Sequence, residues 1–410
     1  MKQALSELLS LAPAEKERRG LVFTAQEIAG QAALWPSTYE RFASFLPAAR
    51  PFLEEFLAHP RKCVLLCGAG TSEYVGLCVE GLLRRGLGVP VSTVSTTSLV
   101  VNPQGWFVPG HATLLVSLAR SGSSPESLGA VRIAEALADP VYHLILTANA
   151  EGELAREAAA LKRARLLSLD PRTNDRSLAM TAAFSNLVVA GQALAHAGSF
   201  SEYERLFARV VEAGGRMLER APDALAGLAR QGGYERAVFL GDGAHFGTAI
   251  ESRLKLQEMT GGAVMCAYDT FPGLRHGPEA VIDKRTLVVA FLSEDPFARR
   301  YELDLLEELR SKRIGRAVLA VAAQAGEASG LADLCVEYDP DGSLGLPADY
   351  APPVQIIAGQ LLALFTSLAR GLKPDNPSEA GVIHRVVEGV KVYDPVAFRA
   401  GRGFRVVAER

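Results

Sequence analysis

The feature that most constrains this chain is that it repeats itself. Residues 62–71, KCVLLCGAGT, read as an apolar strand ending in a glycine turn, and residues 237–244, AVFLGDGA, have the same design. Gly68 and Gly241 are 173 positions apart, and the next apolar runs, Thr113-Leu114-Leu115-Val116 and Thr286-Leu287-Val288-Val289, keep that offset. A third pair, Leu144-Ile145-Leu146 and Ala317-Val318-Leu319, follows at the same spacing, and a fourth, residues 166–170 and 335–339, at a slightly shorter one. Repetition on this scale indicates two copies of one architecture. In each copy short continuous apolar strands alternate with helical stretches, the pattern of a parallel sheet buried between helices. The expected fold is therefore α/β: two tandem αβα sandwiches of the flavodoxin-like kind, with right-handed crossovers. The 410 residues suffice for two or three domains. We expect a helical segment over 1–50, with Thr24 and Ser37 as candidate caps, and a first domain over 51–200. A helical linker (201–230) and a second domain fill 201–372, and a tail over 373–410 packs on one of the domains.

Within the first copy, the connection Arg120-Ser121-Gly122-Ser123-Ser124 is the most informative. It lies between a buried strand and a plausible helix over 126–137. Hydroxyls around a glycine at a strand-to-helix turn suit a phosphate, because inward N–H groups, serine donors and the helix dipole converge there. It is not a Walker loop, which would carry Gly-Lys-Ser/Thr. The competing reading is an ordinary serine N-cap. Ligands in such sheets sit beyond the carboxyl ends of the strands, where the Gly68 turn and the serine loop both lie. The second copy has Ser293-Glu294-Asp295-Pro296 at the corresponding place, and two carboxylates repel a phosphate. One phosphate site per chain is expected, in the first half.

Composition excludes several function classes. Hydrophobic residues make up 49% and charged ones 22%, so the chain is globular. A net charge of −3 argues against a nucleic-acid surface. Cys63, Cys67, Cys78, Cys266 and Cys335 sit mostly in apolar contexts and read as reduced core residues of a cytoplasmic protein. No His/Cys/Asp cluster has metal-ligand spacing, so chemistry without a metal or other cofactor is expected. The N-terminus reads as an amphipathic helix rather than a signal peptide. No apolar stretch is expected to reach membrane-span length, and no membrane partner is expected.

The second half supplies acid–base candidates. On the helix expected over 244–260, Glu251, Lys255 and Glu258 fall at i, i+4 and i+7, on one face. A salt-bridged solvent face is the ordinary explanation. The position of this helix directly after the Gly241 turn places it beside the sheet, toward the ligand end, and favours a functional role. His276, between Arg275 and Gly277-Pro278, belongs to an irregular loop and forms a possible acid/base pair with Glu258.

The Gly68-Ala69-Gly70-Thr71-Ser72 turn, the serine loop and the paired halves together resemble the sugar isomerase (SIS) domain family. Residues 251–258, ESRLKLQE, and Leu274-Arg275-His276-Gly277-Pro278 resemble the isomerase half of glucosamine-6-phosphate synthase. That resemblance implies Thr71, Ser72, Ser121, Ser123 and Ser124 as phosphate ligands. It implies Glu258 as the carrier of a proton between C1 and C2, with Lys255 beside it, and His276 as a ring-opening residue that reaches a neighbouring subunit's site. Thr24-Ala25-Gln26-Glu27-Ile28, Ser177-Leu178-Ala179-Met180-Thr181, Tyr268-Asp269-Thr270 and residues 300–305, RYELDL, extend the resemblance over nearly the whole chain. They are similar to the bacterial tagatose-6-phosphate ketose/aldose isomerase family, whose members are regarded as galactosamine-6-phosphate deaminase/isomerases.

The resemblance implies a cytoplasmic homodimer or larger homo-oligomer with shared sites, converting D-galactosamine 6-phosphate to D-tagatose 6-phosphate and ammonia in amino-sugar catabolism. Plain aldose–ketose isomerisation and non-catalytic sugar-phosphate sensing are the alternatives. Two departures stand out. Arg120 replaces the synthase loop's glutamine, and the synthase's C-terminal lysine has no clear counterpart, Lys391 not being assignable to it. No glutaminase domain precedes the first half, so net amino-sugar synthesis is not expected.

Overall fold

The computed structural model describes residues 3–387 and 389–409. The chain forms two compact units. The first-sheet unit comprises Leu34–Asn174, Asn186–Phe200 and Ile383–Arg410; the second-sheet unit comprises Met1–Ala33, Asp175–Ser185 and Ser201–Val382. The tail and the N-terminal helical region each contribute to both.

The first sheet contains β1 (Lys62–Gly68), β2 (Val91–Ser95), β3 (Ala112–Ala119), β4 (Val141–Thr147) and β5 (Ala164–Ser168), in the order β2-β1-β3-β4-β5. The second contains β6 (Arg236–Leu240), β7 (Met265–Asp269), β8 (Thr286–Phe291), β9 (Ala317–Ala322) and β10 (Leu334–Glu337), in the order β10-β9-β8-β6-β7. Read from the opposite end, the second order is the first. Every pairing within the two sheets is parallel. Both units are therefore doubly wound sheets of flavodoxin-like order, with the switch point beside β1 and β6.

The register measures the repeat. Cys63 faces Thr113 and Arg236 faces Thr286, so the offset of 173 is kept across these two strand pairs. In the third pair it is not. Leu114 faces Tyr142, whereas Leu287 faces Ala317, and the structural offset becomes 175. The cause lies in the intervening helices: Pro125–Leu137 has 13 residues and Pro296–Lys312 has 17, while the strand end and loop before the second are together shorter by two.

Glycines set the closest approaches. The helices Ala244–Met259 and Pro352–Ala369 pack together, and a Cβ at Gly359 would lie 2.1 Å from Ser252 Oγ. The 18-residue helix Pro352–Ala369 is long and apolar enough to cross a membrane by length and composition, contrary to the expectation from sequence, and 89% of it is buried inside the protein. Its apolarity follows from that burial, since a helix covered on all sides has no polar face. At the N-terminus one helix runs from Thr24 to Leu57, through Pro36, Pro47 and Pro51. Ser37 is thus mid-helix rather than a cap, and its hydroxyl donates to Asp170 at 3.1 Å. The tail ends in an antiparallel pair, β11 (Lys391–Tyr393) and β12 (Val406–Glu409), packed on the helix Pro125–Leu137. Val392 fills the space that a Cβ at Gly129 would take.

Gly359→Ala forces the helix pair apart. Overpacking of this kind costs about 1–3 kcal/mol, and the melting temperature of the second-sheet unit should fall by several degrees. Thermal denaturation beside the wild type checks this; an unchanged melting point would show that the crossing has slack.

Candidate functional site

The serine loop leaves β3 at its carboxyl edge. Gly122 has φ of 62°, a left-handed conformation that favours glycine. The loop is braced from behind: Asn149 Nδ2 donates to the Ser121 carbonyl at 2.8 Å, and Leu154 N to the Gly122 carbonyl at 2.7 Å. Ser124 is the N-cap of the helix Pro125–Leu137, its Oγ accepting from Ser127 N at 3.3 Å. The capping and ligand readings therefore coexist in one residue. Ser121 and Ser123 remain half-exposed. Arg120 is buried, and its guanidinium donates to the Arg385 carbonyl.

Thr71 and Ser72 open the helix Thr71–Leu87 after β1, the strand adjacent to β3. Gly70, with φ 54° and ψ −124°, makes the turn. At Gly68 a Cβ would strike the Ser72 backbone at 2.5 Å, so the helix starts directly over the strand end. All five candidate phosphate residues thus belong to two neighbouring connections at the carboxyl edge of the first sheet, beside the switch point.

In the second-sheet unit, Lys255 is fully buried between two carboxylates. Its Nζ lies 3.3 Å from Glu251 Oε1 and 2.7 Å from Glu258 Oε2. Glu251 is fully buried too, whereas the Glu258 side chain keeps 22% of its exposure. This is no solvated ion-pair face. One partially open carboxylate is held by a buried ammonium, which is itself anchored by a second carboxylate.

The direction of the helix corrects one expectation. Ala244–Met259 runs antiparallel to β6, so only its first turn lies at the carboxyl edge. Glu258 is in its last turn, roughly 20 Å further along at 1.5 Å per residue. The next strand, β7, then begins with Met265 facing Arg236, the first residue of β6. The Lys255–Glu258 pair therefore sits at the amino edge of the second sheet.

His276 is exposed, in the connection from β7 to β8. Its neighbour Arg275 donates to Glu308 on the helix Pro296–Lys312 at 2.6 Å. The β6-to-β7 and β7-to-β8 connections cross the sheet in opposite senses, so right-handed crossovers put them on opposite faces. The core agrees: Phe271, Leu274, Leu305 and Leu309 share one cluster with Val238 and Leu240, in which no residue of Ala244–Met259 takes part. Within one unit, then, His276 and Glu258 are not brought together.

From sequence, Thr24–Ile28 and Ser177–Thr181 served as marks of resemblance, with Thr24 also a candidate cap. The structure gives them work. Asp375 accepts from the backbone N–H groups of Val22, Phe23 and Thr24. Glu27 accepts from Ser177 Oγ at 2.5 Å, and Asp175 from Thr181, Ala182 and Ala183. Burial, with the nearby Asp175 charge, pushes the Glu27 carboxyl up to about 7. Two residues past Asp375, the Pro377 carbonyl lies 3.0 Å from where a Gly261 Cβ would stand. Of this knot, the Asp375 segment is the part that lies beside the turn ending the helix that carries Glu258.

Of a buried cluster at the carboxyl edge of the second sheet, sequence reasoning found Glu294 as a carboxylate but not its partners. His245 Nε2 lies 3.5 Å from Glu294 Oε2, and Tyr338 Oη donates to Glu294 Oε1 at 2.7 Å. Close by, Glu302 is fully buried and accepts from Ser293 N at 2.9 Å. Adding 173 to Ser72 and Ser121 reaches His245 and Glu294, so the repeat itself held the signal. Two cavities, about 560 Å³ beside Leu8 and Phe365 and about 480 Å³ beside Val101 and Phe404, are lined by none of these groups.

A D-galactosamine-6-phosphate deaminase AgaS of Escherichia coli is 34% identical over 375 residues, covering 90% of this chain and 95% of its own length. A Streptomyces coelicolor protein, provisionally given the same name, is 39% identical and covers 91% and 95%. The chain belongs to this family. A Clostridium novyi structure, provisionally named a tagatose-6-phosphate ketose/aldose isomerase, superposes with a TM-score of 0.88 at 33% identity, over 96% of this chain and all of that one. No protein-family profile matches the chain. With these relatives the paired sheets are identified as two tandem SIS-type domains.

Glu302 makes stability depend on pH. Burial outweighs the nearby His245 charge and the Ser293 N–H and pushes its carboxyl up to about 7, from 4.5. Between these values the folded chain holds a proton that the unfolded chain does not, so stability falls as pH rises from about 4.5 to about 7. Glu302→Gln should remove that part of the decline, on the order of 2–4 kcal/mol at about 1.4 kcal/mol per pH unit. Urea unfolding at pH 5 and pH 8 checks it: the variant should gain on the wild type only at the higher pH.

Proposed function

We propose that this chain converts D-galactosamine 6-phosphate to D-tagatose 6-phosphate and ammonia. The observation that carries the reading is the buried Glu251–Lys255–Glu258 array with one open carboxylate. Sensing a sugar phosphate needs the serine loop but no such array. Family membership supports both reaction type and substrate, since the E. coli relative is named for that deamination.

In this reading Thr71, Ser72, Ser121, Ser123 and Ser124 hold the 6-phosphate, with hydroxyl and loop N–H donors acting as charge-assisted partners. His276 assists opening of the sugar ring. Glu258 removes the proton from C2 of the open 2-amino aldose, and the electron pair moves to form the C1–C2 double bond. Returning the proton to C1 leaves the nitrogen doubly bonded at C2. Water adds to C2, and the C–N bond breaks with release of ammonia, leaving the ketose. Lys255 donates to Glu258 and fixes the carboxylate's direction. None of these steps requires a metal or organic cofactor. The five free cysteines accord with a reducing compartment, the cytoplasm.

Plain aldose–ketose isomerisation uses the same proton shuttle without the nitrogen, and the name of the C. novyi structure favours it. Ammonia release, assayed with galactosamine 6-phosphate and glucosamine 6-phosphate side by side, separates the two readings. Glu258→Gln keeps the shape and loses the base. General-base catalysis contributes about 10²–10⁴-fold, so turnover should fall by that factor while calorimetric binding of the substrate is retained. Exchange of the C2 hydrogen with deuterated solvent should cease. Retained exchange and turnover would reduce Glu258 to a structural carboxylate.

The active form in this reading is at least a dimer, in which His276 completes the site of a neighbouring copy. The separation of His276 and Glu258 on opposite faces of one sheet supports it. Mixing His276→Ala chains with Glu258→Gln chains, each inactive alone, should restore about half of wild-type activity per mixed dimer, and about a quarter in a randomly exchanged equimolar mixture, by the counting of intact shared sites. Absence of complementation after verified subunit exchange would rule the shared site out.

A further inference from the structure

We propose that Glu294 is a built-in anionic ligand: its carboxylate occupies, at the carboxyl edge of the second sheet, the place that the first sheet's serine loop keeps for a substrate phosphate. The comparison with the serine loop rests on the phosphate reading above. The occupancy of the second site rests on that unit's own geometry.

The two edges are built alike. The turns after β1 and β6 are the same, with Gly70 at φ 54°, ψ −124° and Gly243 at φ 55°, ψ −127°. Four residues after Gly68 comes Ser72, and four after Gly241 comes His245. In both places a Cβ on the glycine would meet the backbone of that fourth residue, at 2.5 Å and 2.4 Å respectively. The adjacent strands keep register, Cys67 facing Ser117 and Leu240 facing Ala290. Counting from β8, Glu294 is the counterpart of Ser121. Counting back from the N-caps Ser124 and Asp295, it is the counterpart of Ser123. By either count it stands in the serine loop.

What surrounds Glu294 is what a phosphate loop would offer an anion. Four connections converge on its carboxylate: His245 after β6, the loop after β8 that bears it, Ala323 N after β9 at 3.2 Å, and Tyr338 Oη after β10 at 2.7 Å. A hydroxyl, a backbone N–H and an imidazole from separate connections make a preorganised anion hole, held here by a tethered carboxylate. Burial alone would raise the Glu294 carboxyl, yet the His245 and Tyr338 contacts hold it below its ordinary value, as expected of an ionised occupant. In the first unit the corresponding brace differs. Asn149, after β4, donates to the Ser121 carbonyl rather than to an acidic side chain in the loop.

A tethered ligand predicts chemical rescue. Glu294→Ala empties the hole, and the variant should melt several degrees below the wild type. Formate, the free form of the missing carboxylate, should raise the variant's melting temperature to a saturating plateau. It should leave the wild type unmoved beyond the response to chloride at equal ionic strength. His245→Ala/Glu294→Ala should lose the rescue or require far more formate. If Glu294→Ala is recovered only unfolded, its refolding yield from urea should rise and saturate with formate. A variant as stable as the wild type, or a response to formate no greater than to chloride, overturns the proposal. Neither outcome touches the phosphate assignment of the first sheet, whose residues are unaltered in these variants.

Discussion

The constraint on which the rest depends is the strand-to-helix junction with a glycine at the strand end. At Gly68 and at Gly241 the following helix begins so close over the strand that even a methyl group would collide with its backbone. A second glycine, at positive φ, makes the reversal. This junction orients the helix N-terminus toward the carboxyl edge of the sheet, where the helix dipole favours an anion. It also fixes where the far end of the helix must lie. Because the junction occurs twice, the chain has two equivalent carboxyl edges, and differences in side chains decide what each does.

Those differences follow from charge. The first edge bears hydroxyls, follows the buried Arg120 in sequence, and carries no carboxylate in its loop. The second bears a histidine, two glutamates and an aspartate among buried neighbours. A buried carboxylate persists only with partners that repay its lost hydration. Glu294 has them in His245, Tyr338 and the Ala323 N–H. Glu302 has fewer, and its raised proton affinity records the shortfall. In the proposed reading the first edge takes an anion from outside, and the second holds a tethered one.

Much of the fold was legible because continuous apolar strands, glycine turns and a constant spacing are one-dimensional signals. The serine loop, the helix over 244–259 and its three charged residues were legible for the same reason. What could not be read is three-dimensional. Spacing put Glu251, Lys255 and Glu258 on one face but did not say which edge that face reaches, since this depends on helix length against strand direction. The two-residue slip at β9 arises from a longer helix whose length local pattern does not disclose. Ser37 has the chemistry of a cap, yet lies inside a helix that tertiary packing extends through three prolines. The tail pair β11–β12 is too short, and too dependent on Gly129 as its seat, to announce itself.

The division of labour also explains why a charged array can lie at the amino edge of a sheet whose carboxyl edge is the usual ligand position. An open carboxyl edge places a ligand over the first turn of the helix, roughly 20 Å from its last turn. In the second unit that edge is filled by Glu294, so nothing there needs the first turn for binding, and the last turn is free to carry chemistry. The motifs around Glu27, Asp175 and Asp375 make sense in this light. Asp375 ties down the chain two residues before Pro377, whose carbonyl stands beside the turn that ends this helix. At the carboxyl edge of the same unit the contacts are made instead around Glu294, by His245, Tyr338 and the Ala323 N–H.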